Sequence, residues 1–230
     1  MGLRSRALGA ALIASAIFTP ALAHEFWVEP SSHRPAAGSV VSARLLLGHT
    51  DAPEAYARNP KHLAEFVLVG PGAGDEGAAA EARVPAVGRP GEDPAGRVRI
   101  PGEGTFVLGY RSNPNALTMQ PAKFEAYLRE EGLEHVVEER RRRGESGQPG
   151  RESYSRYAKA LLRTPGAGAG GHDRTLGYPL ELVPRNDPFA LRAEDPAGPL
   201  PALGVDVLHD GEPRAGVLVS RFLGGNQQDL

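Results

Sequence analysis

The apolar positions of this chain come in short runs broken by Gly and Pro, and over most of its length their spacing is nearer two than 3.6. Val28-Glu29-Pro30 predicts a short first strand that stops at a turn over Ser31-Ser32, because proline cannot continue a central ladder. Ser39 to Leu47 alternates in part and is punctuated by Gly48, with His49 just past that end. Asp51 to His62 is polar, carries two prolines and predicts a loop. Glu65-Phe66-Val67-Leu68-Val69 is an apolar strand closed by Gly70-Pro71-Gly72. Arg97 to Ile100 and Gly104 to Arg111 predict a hairpin through Pro101-Gly102-Glu103.

The period changes after Pro114. Phe124, Tyr127 and Leu128 stand at i, i+3 and i+4, which predicts a helix over Lys123 to Glu130, and Gly132 is placed to end it with a left-handed residue. Leu133, Val136 and Val137 open a second short helix that runs into Arg140-Arg141-Arg142-Arg143-Gly144. Those arginines point around most of a helix and meet its negative C-terminal end, so they read as a solvated face. Gly147 to Arg151 predicts a loop. Tyr154 to Arg163 alternates poorly and fits helix or strand equally. The proline-dotted stretch 178–201 predicts an extended linker. Beyond it, Leu203 to Leu208 and Gly216 to Ser220 flank Asp210-Gly211, a hairpin turn signal.

The resulting expectation is a mainly β chain: an immunoglobulin-like β-sandwich over 24–177, a helical hairpin inserted at 121–144, the linker at 178–201, and a partial second β module over 202–230. Composition agrees. Gly (29) and Pro (21) together exceed a fifth of the 230 residues, which favours turns and short strands. With 26 Lys+Arg against 28 Asp+Glu, the charge offers no general attraction to nucleic acid. Cysteine is absent, which excludes disulfides, thiolate metal sites and a cysteine nucleophile. Residues 1–23 carry basic Arg4 and Arg6, an apolar core from Ala7 to Phe18 and an Ala21-Leu22-Ala23 ending, the pattern of a cleavable secretory signal. That apolar core is short for a membrane span. The expected location is periplasmic or secreted, with no transmembrane segment in the mature chain.

Four stretches together resemble the DUF4198 family: Ala23-His24-Glu25-Phe26-Trp27-Val28-Glu29-Pro30-Ser31-Ser32, Gly109-Tyr110-Arg111-Ser112-Asn113-Pro114, Phe124 to Leu133, and Arg151-Glu152-Ser153-Tyr154-Ser155-Arg156-Tyr157-Ala158-Lys159. The resemblance implies an exported bacterial protein built from β-sandwich modules, of a kind once labelled as nickel-transport components. It also implies a fuller second β module, similar to the carboxypeptidase regulatory-like domain, after Gly211-Glu212-Pro213; this chain stops soon after that point, as a shortened C-terminus would.

Cleavage after Ala23 makes His24 the first residue, where its α-amino group and Nδ1 can chelate one metal ion. With a second imidazole this is a histidine brace, whose planar nitrogen set suits Cu(II) and accepts Ni(II). The amine pKa, about 8, lets a metal displace its proton at neutral pH. Among the seven histidines, His49 is the first choice for the second imidazole, since a strand end can aim it; His33 comes next and His62 follows, each against the plainer reading of a surface histidine. Phe26 and Trp27 alternate, so one enters the core, and Tyr110 reads as a buried structural tyrosine. Glu130-Glu131 and Glu138-Glu139 read as solvated charge. No nucleophile elbow, zincin or phosphate-loop motif is present. The leading expectation is therefore a non-enzymatic periplasmic metal-binding protein that handles copper, nickel or cobalt, with a membrane transporter component as its partner. The alternative is an envelope β-sandwich module that binds a protein or glycan without metal. An oxidative enzyme built on a copper brace stands third, for want of a substrate face.

Overall fold

The computed structural model describes residues 25–49, 52–71, 81–191, 201–223 and 226–229. In chain order the elements are β1 (Glu25–Pro30), β2 (Val40–His49), β3 (Ala52–Ala55), β4 (Leu63–Pro71), β5 (Glu81–Pro85), β6 (Gly96–Arg99), β7 (Thr105–Ser112) and β8 (Asn115–Met119). Then come α1 (Pro121–Glu130), α2 (Glu134–Arg142), β9 (Gly150–Tyr154), β10 (Tyr157–Arg163), β11 (Leu180–Pro184), β12 (Val205–His209), β13 (Glu212–Pro213), β14 (Ser220–Leu223) and β15 (Asn226–Asp229).

Two antiparallel sheets face each other, as a mainly β sandwich requires. In the first, β2 has β1 along one side and β6 and β3 along the other. In the second, the order is β10-β7-β4-β5. Period-two alternation turns Val41, Ala43 and Leu45 of β2 inward, and they meet Phe66 and Leu68 of β4, Phe106, Leu108 and Tyr110 of β7, and Ala158, Ala160 and Leu162 of β10 in one buried cluster. The second sheet is also covered on its outer face, where Val67, Val69 and Val107 pack under Leu176 and Tyr178. That is why Phe66 to Val69 reads as an unbroken apolar run and not as an alternation.

The same double burial explains β10. Its Tyr157, Lys159, Leu161 and Arg163 lie on the covered outer face, and each charge there has a partner: Lys159 Nζ is 2.7 Å from Glu181 and Arg163 is 2.6 Å from Asp187. A strand with charges on one buried face and alanines on the other has no clean alternation, and Tyr157–Arg163 is nonetheless a strand.

Several expectations are corrected. The Arg97–Ile100 and Gly104–Arg111 segments do not form a hairpin: β6 pairs with β2 and β7 with β4 and β10, so the chain crosses between sheets at Pro101. The stretch 178–201 is not simply a linker. Tyr178 is buried, and β11 pairs along its length with β12, because Leu182 and Val183 sit between the prolines and Pro184 falls at the strand end. Asp210 and Gly211 both take positive φ (50° and 82°), the backbone of a tight hairpin turn. The returning strand is β13 at Glu212–Pro213, however, and not Gly216 to Ser220.

The helical hairpin is present, carried on a two-stranded stem of β8 and β9 where Gly147 to Arg151 suggested only loop. Pro121 starts α1. Gly132, at φ 69°, ends it in a Schellman turn, with Leu133 N–H donating to Leu128 O (2.7 Å) and Gly132 N–H to Arg129 O (3.1 Å). Of the four arginines, Arg141, Arg142 and Arg143 are exposed beside Glu138 and Glu139. Arg140 is buried, its guanidinium 5.0 Å from the Phe124 ring and donating to Glu145 O (2.9 Å) and Gln148 O (2.8 Å). Among the described residues no helix is long and apolar enough to cross a membrane.

Candidate functional site

The start of β1 collects groups from five separate parts of the chain. Phe26 packs edge-on against Tyr56 (ring centroids 5.6 Å) and at a tilt against the buried Tyr110 (5.0 Å), so Phe26 is the residue of the Phe26-Trp27 pair that joins the core. Burial, and after it the neighbouring Tyr56, pushes the Tyr110 hydroxyl up to about 12, in keeping with a structural role. Arg156 stands over this aromatic group, its guanidinium carbon 5.0 Å from the Tyr154 ring, 5.5 Å from Phe26 and 5.7 Å from Tyr56. Its backbone is clamped to Ser112, which donates N–H to Arg156 O (2.9 Å) and accepts Arg156 N–H on Oγ (2.9 Å).

Carboxylates reach the same end of β1 from the helical insert. Tyr127 Oη donates to Glu152 Oε1 at 3.1 Å, and burial, then the Glu152 charge, raises the Tyr127 hydroxyl. Glu131 is half-buried; burial first, then the charges of Glu152, Glu130 and Glu25, raises its carboxyl. The Glu130-Glu131 pair is therefore not uniformly solvated: α1 turns Glu131 toward Glu25 while Glu130 stays exposed. A single sequence contains no local signal for this grouping, since Glu25, Glu131 and Glu152 lie far apart in the chain and influence one another only in the folded protein.

The expected metal ligands are distributed as follows. His24 lies outside the described residues. His49 is the last residue of β2, paired with Ala52 of β3. His33 follows the other end of β1. Its Nδ1 is 2.8 Å from Leu161 O of β10, and the five-residue step from Glu25 to Pro30 separates the two ends by about 16 Å, so the structure does not bring His33 to the start of the strand. His62 is held by Tyr56, Nδ1 to Oη 2.5 Å, with the rings stacked at 6.2 Å. Among the described residues no three histidine, aspartate or glutamate side chains are set to hold a metal ion.

Fold and site together define an antiparallel β-sandwich protein whose first strand is flanked by an aromatic-arginine group and by carboxylates delivered on a helical insert. The chain matches the family model described as "Domain of unknown function (DUF4198)" over residues 21–229 and belongs to that family. That span includes β11 to β15 as well as the sandwich. No curated protein and no solved structure matches the chain.

Proposed function

We propose that the protein is exported, cleaved after Ala23, and binds Cu(II) or Ni(II) through the His24 amine and imidazole together with His49. It would act in copper, nickel or cobalt handling beside a membrane transporter component, as a binding protein and not an enzyme. The observation that carries this reading is the register of β1 on β2. Glu25 faces Gly48, Phe26 faces Leu47 and Trp27 faces Leu46, so β1 begins at the end of the sheet where His49 closes β2. Directly opposed residues of an antiparallel pair have Cβ atoms about 5 Å apart on one face, close enough for two imidazoles to share an ion. Negative charge from Glu25, Glu131 and Glu152 at the same strand end supports the reading, because it draws cations in. His33, engaged with β10 at the far end of β1, drops out of the ligand set proposed here.

The test is calorimetric titration of Cu(II) and Ni(II) into protein processed to His24, beside a Met-extended form. Submicromolar 1:1 binding is expected only for the processed form. His24→Ala should abolish it, and His49→Ala should weaken it by at least about tenfold, or about 1.4 kcal/mol. Equal or negligible binding by both forms would overturn the proposal and leave the sandwich as a metal-free module for a protein or glycan.

A further inference from the structure

A groove of about 550 Å³ opens beside Phe26, between the outer face of β10 and the strands β11 and β12. Its walls are apolar. Tyr157 and Leu161 come from β10, Leu180 and Leu182 from β11, and Leu203 from the approach to β12. Leu180, Leu182 and Leu203 are 43%, 50% and 44% exposed, an unusual grouping of large apolar side chains around one depression.

Two cations line it, and they differ in kind. Lys159 is engaged, with Nζ 2.7 Å from Glu181 Oε2 and 3.1 Å from Arg174 O. Arg156 has no carboxylate or carbonyl within hydrogen-bond distance of its guanidinium among the described residues; three aromatic rings hold it instead. Rings attract the charge of a guanidinium but offer its five N–H donors no carboxylate or carbonyl acceptor. Among the described residues Arg156 therefore keeps its donors for an outside acceptor, at the edge of a wall whose other polar residues are Ser155 and the mutually paired Lys159 and Glu181. Its main chain is held independently of any ligand by the two backbone bonds to Ser112.

We propose that this groove binds a small amphipathic monocarboxylate, with its head group on Arg156 and its apolar body along Leu161, Leu182 and Leu203. Charge complementarity selects the head: a carboxylate accepts two parallel N–H bonds from one guanidinium, and the apolar wall excludes the water that would compete for them. The volume falls within the range of about 300–1,000 Å³ typical of small-molecule sites, which suits a medium-chain fatty acid or an aryl carboxylate. The site shares Phe26 with the neighbourhood of the proposed metal centre but uses none of its ligands.

Decanoate and decanol are titrated by calorimetry into the full-length processed protein in the presence of a chelator, so that metal binding cannot contribute and the two proposals succeed or fail separately. Saturable decanoate binding is expected, with decanol at least about tenfold weaker. Arg156→Gln should reduce decanoate to the level of decanol. Leu203→Glu, at an exposed position where the fold tolerates it, should weaken decanoate at least about tenfold with an unchanged melting temperature, which covers the case in which the Arg156 variant fails to fold. Equal binding of acid and alcohol to the unmodified protein, or no saturable decanoate binding up to about 1 mM, overturns the proposal.

Discussion

Glu181 shows what a single residue contributes to this fold. It is 4% exposed, yet its carboxylate accepts the N–H groups of Leu176 (2.9 Å) and Tyr178 (2.8 Å) as well as Lys159 Nζ (2.7 Å). Burial pushes the carboxyl up, but the Lys159 bond and the two amides outweigh it, and the net result is a lowered pKa. A carboxyl with a lowered folded pKa adds stability that is present above its unfolded value, about 4.3, and lost as pH falls through the folded value. Glu181→Gln leaves Lys159 without its counter-charge and should cost about 3 kcal/mol at pH 7. In urea unfolding the gap between variant and parent should narrow as pH falls below the usual carboxylate range and through the lowered folded value, where the parent also becomes neutral. Residues of this kind are hidden in the sequence. Glu181 stands between two leucines in a proline-rich stretch, and only the folded backbone shows that two amides and a lysine converge on it.

At the scale of elements, legibility depended on whether the signal was local. The α1 helix was readable because Phe124, Tyr127 and Leu128 repeat on one face and Gly132 supplies the left-handed stop. The β6–β7 crossing was not, since Pro101-Gly102-Glu103 fits a hairpin loop as well as a step between sheets, and the choice is made by β2 and β4, far away in the chain. Strand β10 was ambiguous because burial on both faces removes alternation. The stem of the insert has its own packing constraint. A Cβ on Gly150 would lie 2.0 Å from the Phe124 ring, which is itself held beneath Arg140. Gly150→Ala should therefore cost about 1–3 kcal/mol. Hydrogen exchange should show lost protection in α1, β8 and β9, while β4 and β7 stay protected.

For the whole molecule, the layer of β11 to β13 is tied to the sandwich by two ion pairs with little exposure, Lys159 with Glu181 and Arg163 with Asp187. Arg163 is the more elaborate anchor: besides Asp187 it donates to Thr105 Oγ1 (2.7 Å) and Gly170 O (3.2 Å), and it lies 4.7 Å from the Phe189 ring. Arg163→Met should cost about 3 kcal/mol by leaving Asp187 unpaired, and amide exchange should accelerate in β11 and β12 before it does in β4. The sandwich class, the insert and the family were legible in the sequence as a whole. The groove and its ring-held arginine were not, because they exist only where β10 meets strands that the proline-rich stretch had disguised as a linker. The place of β10 has a kinetic consequence as well. Tyr157–Arg163 completes the second sheet beside β7, after both helices have been made. A chain emerging N-terminus first cannot cover Phe106, Leu108 and Tyr110 along that edge until residue 163 is free. Native pairings over such separations form slowly, so the sandwich core stays open until its last strand has been released.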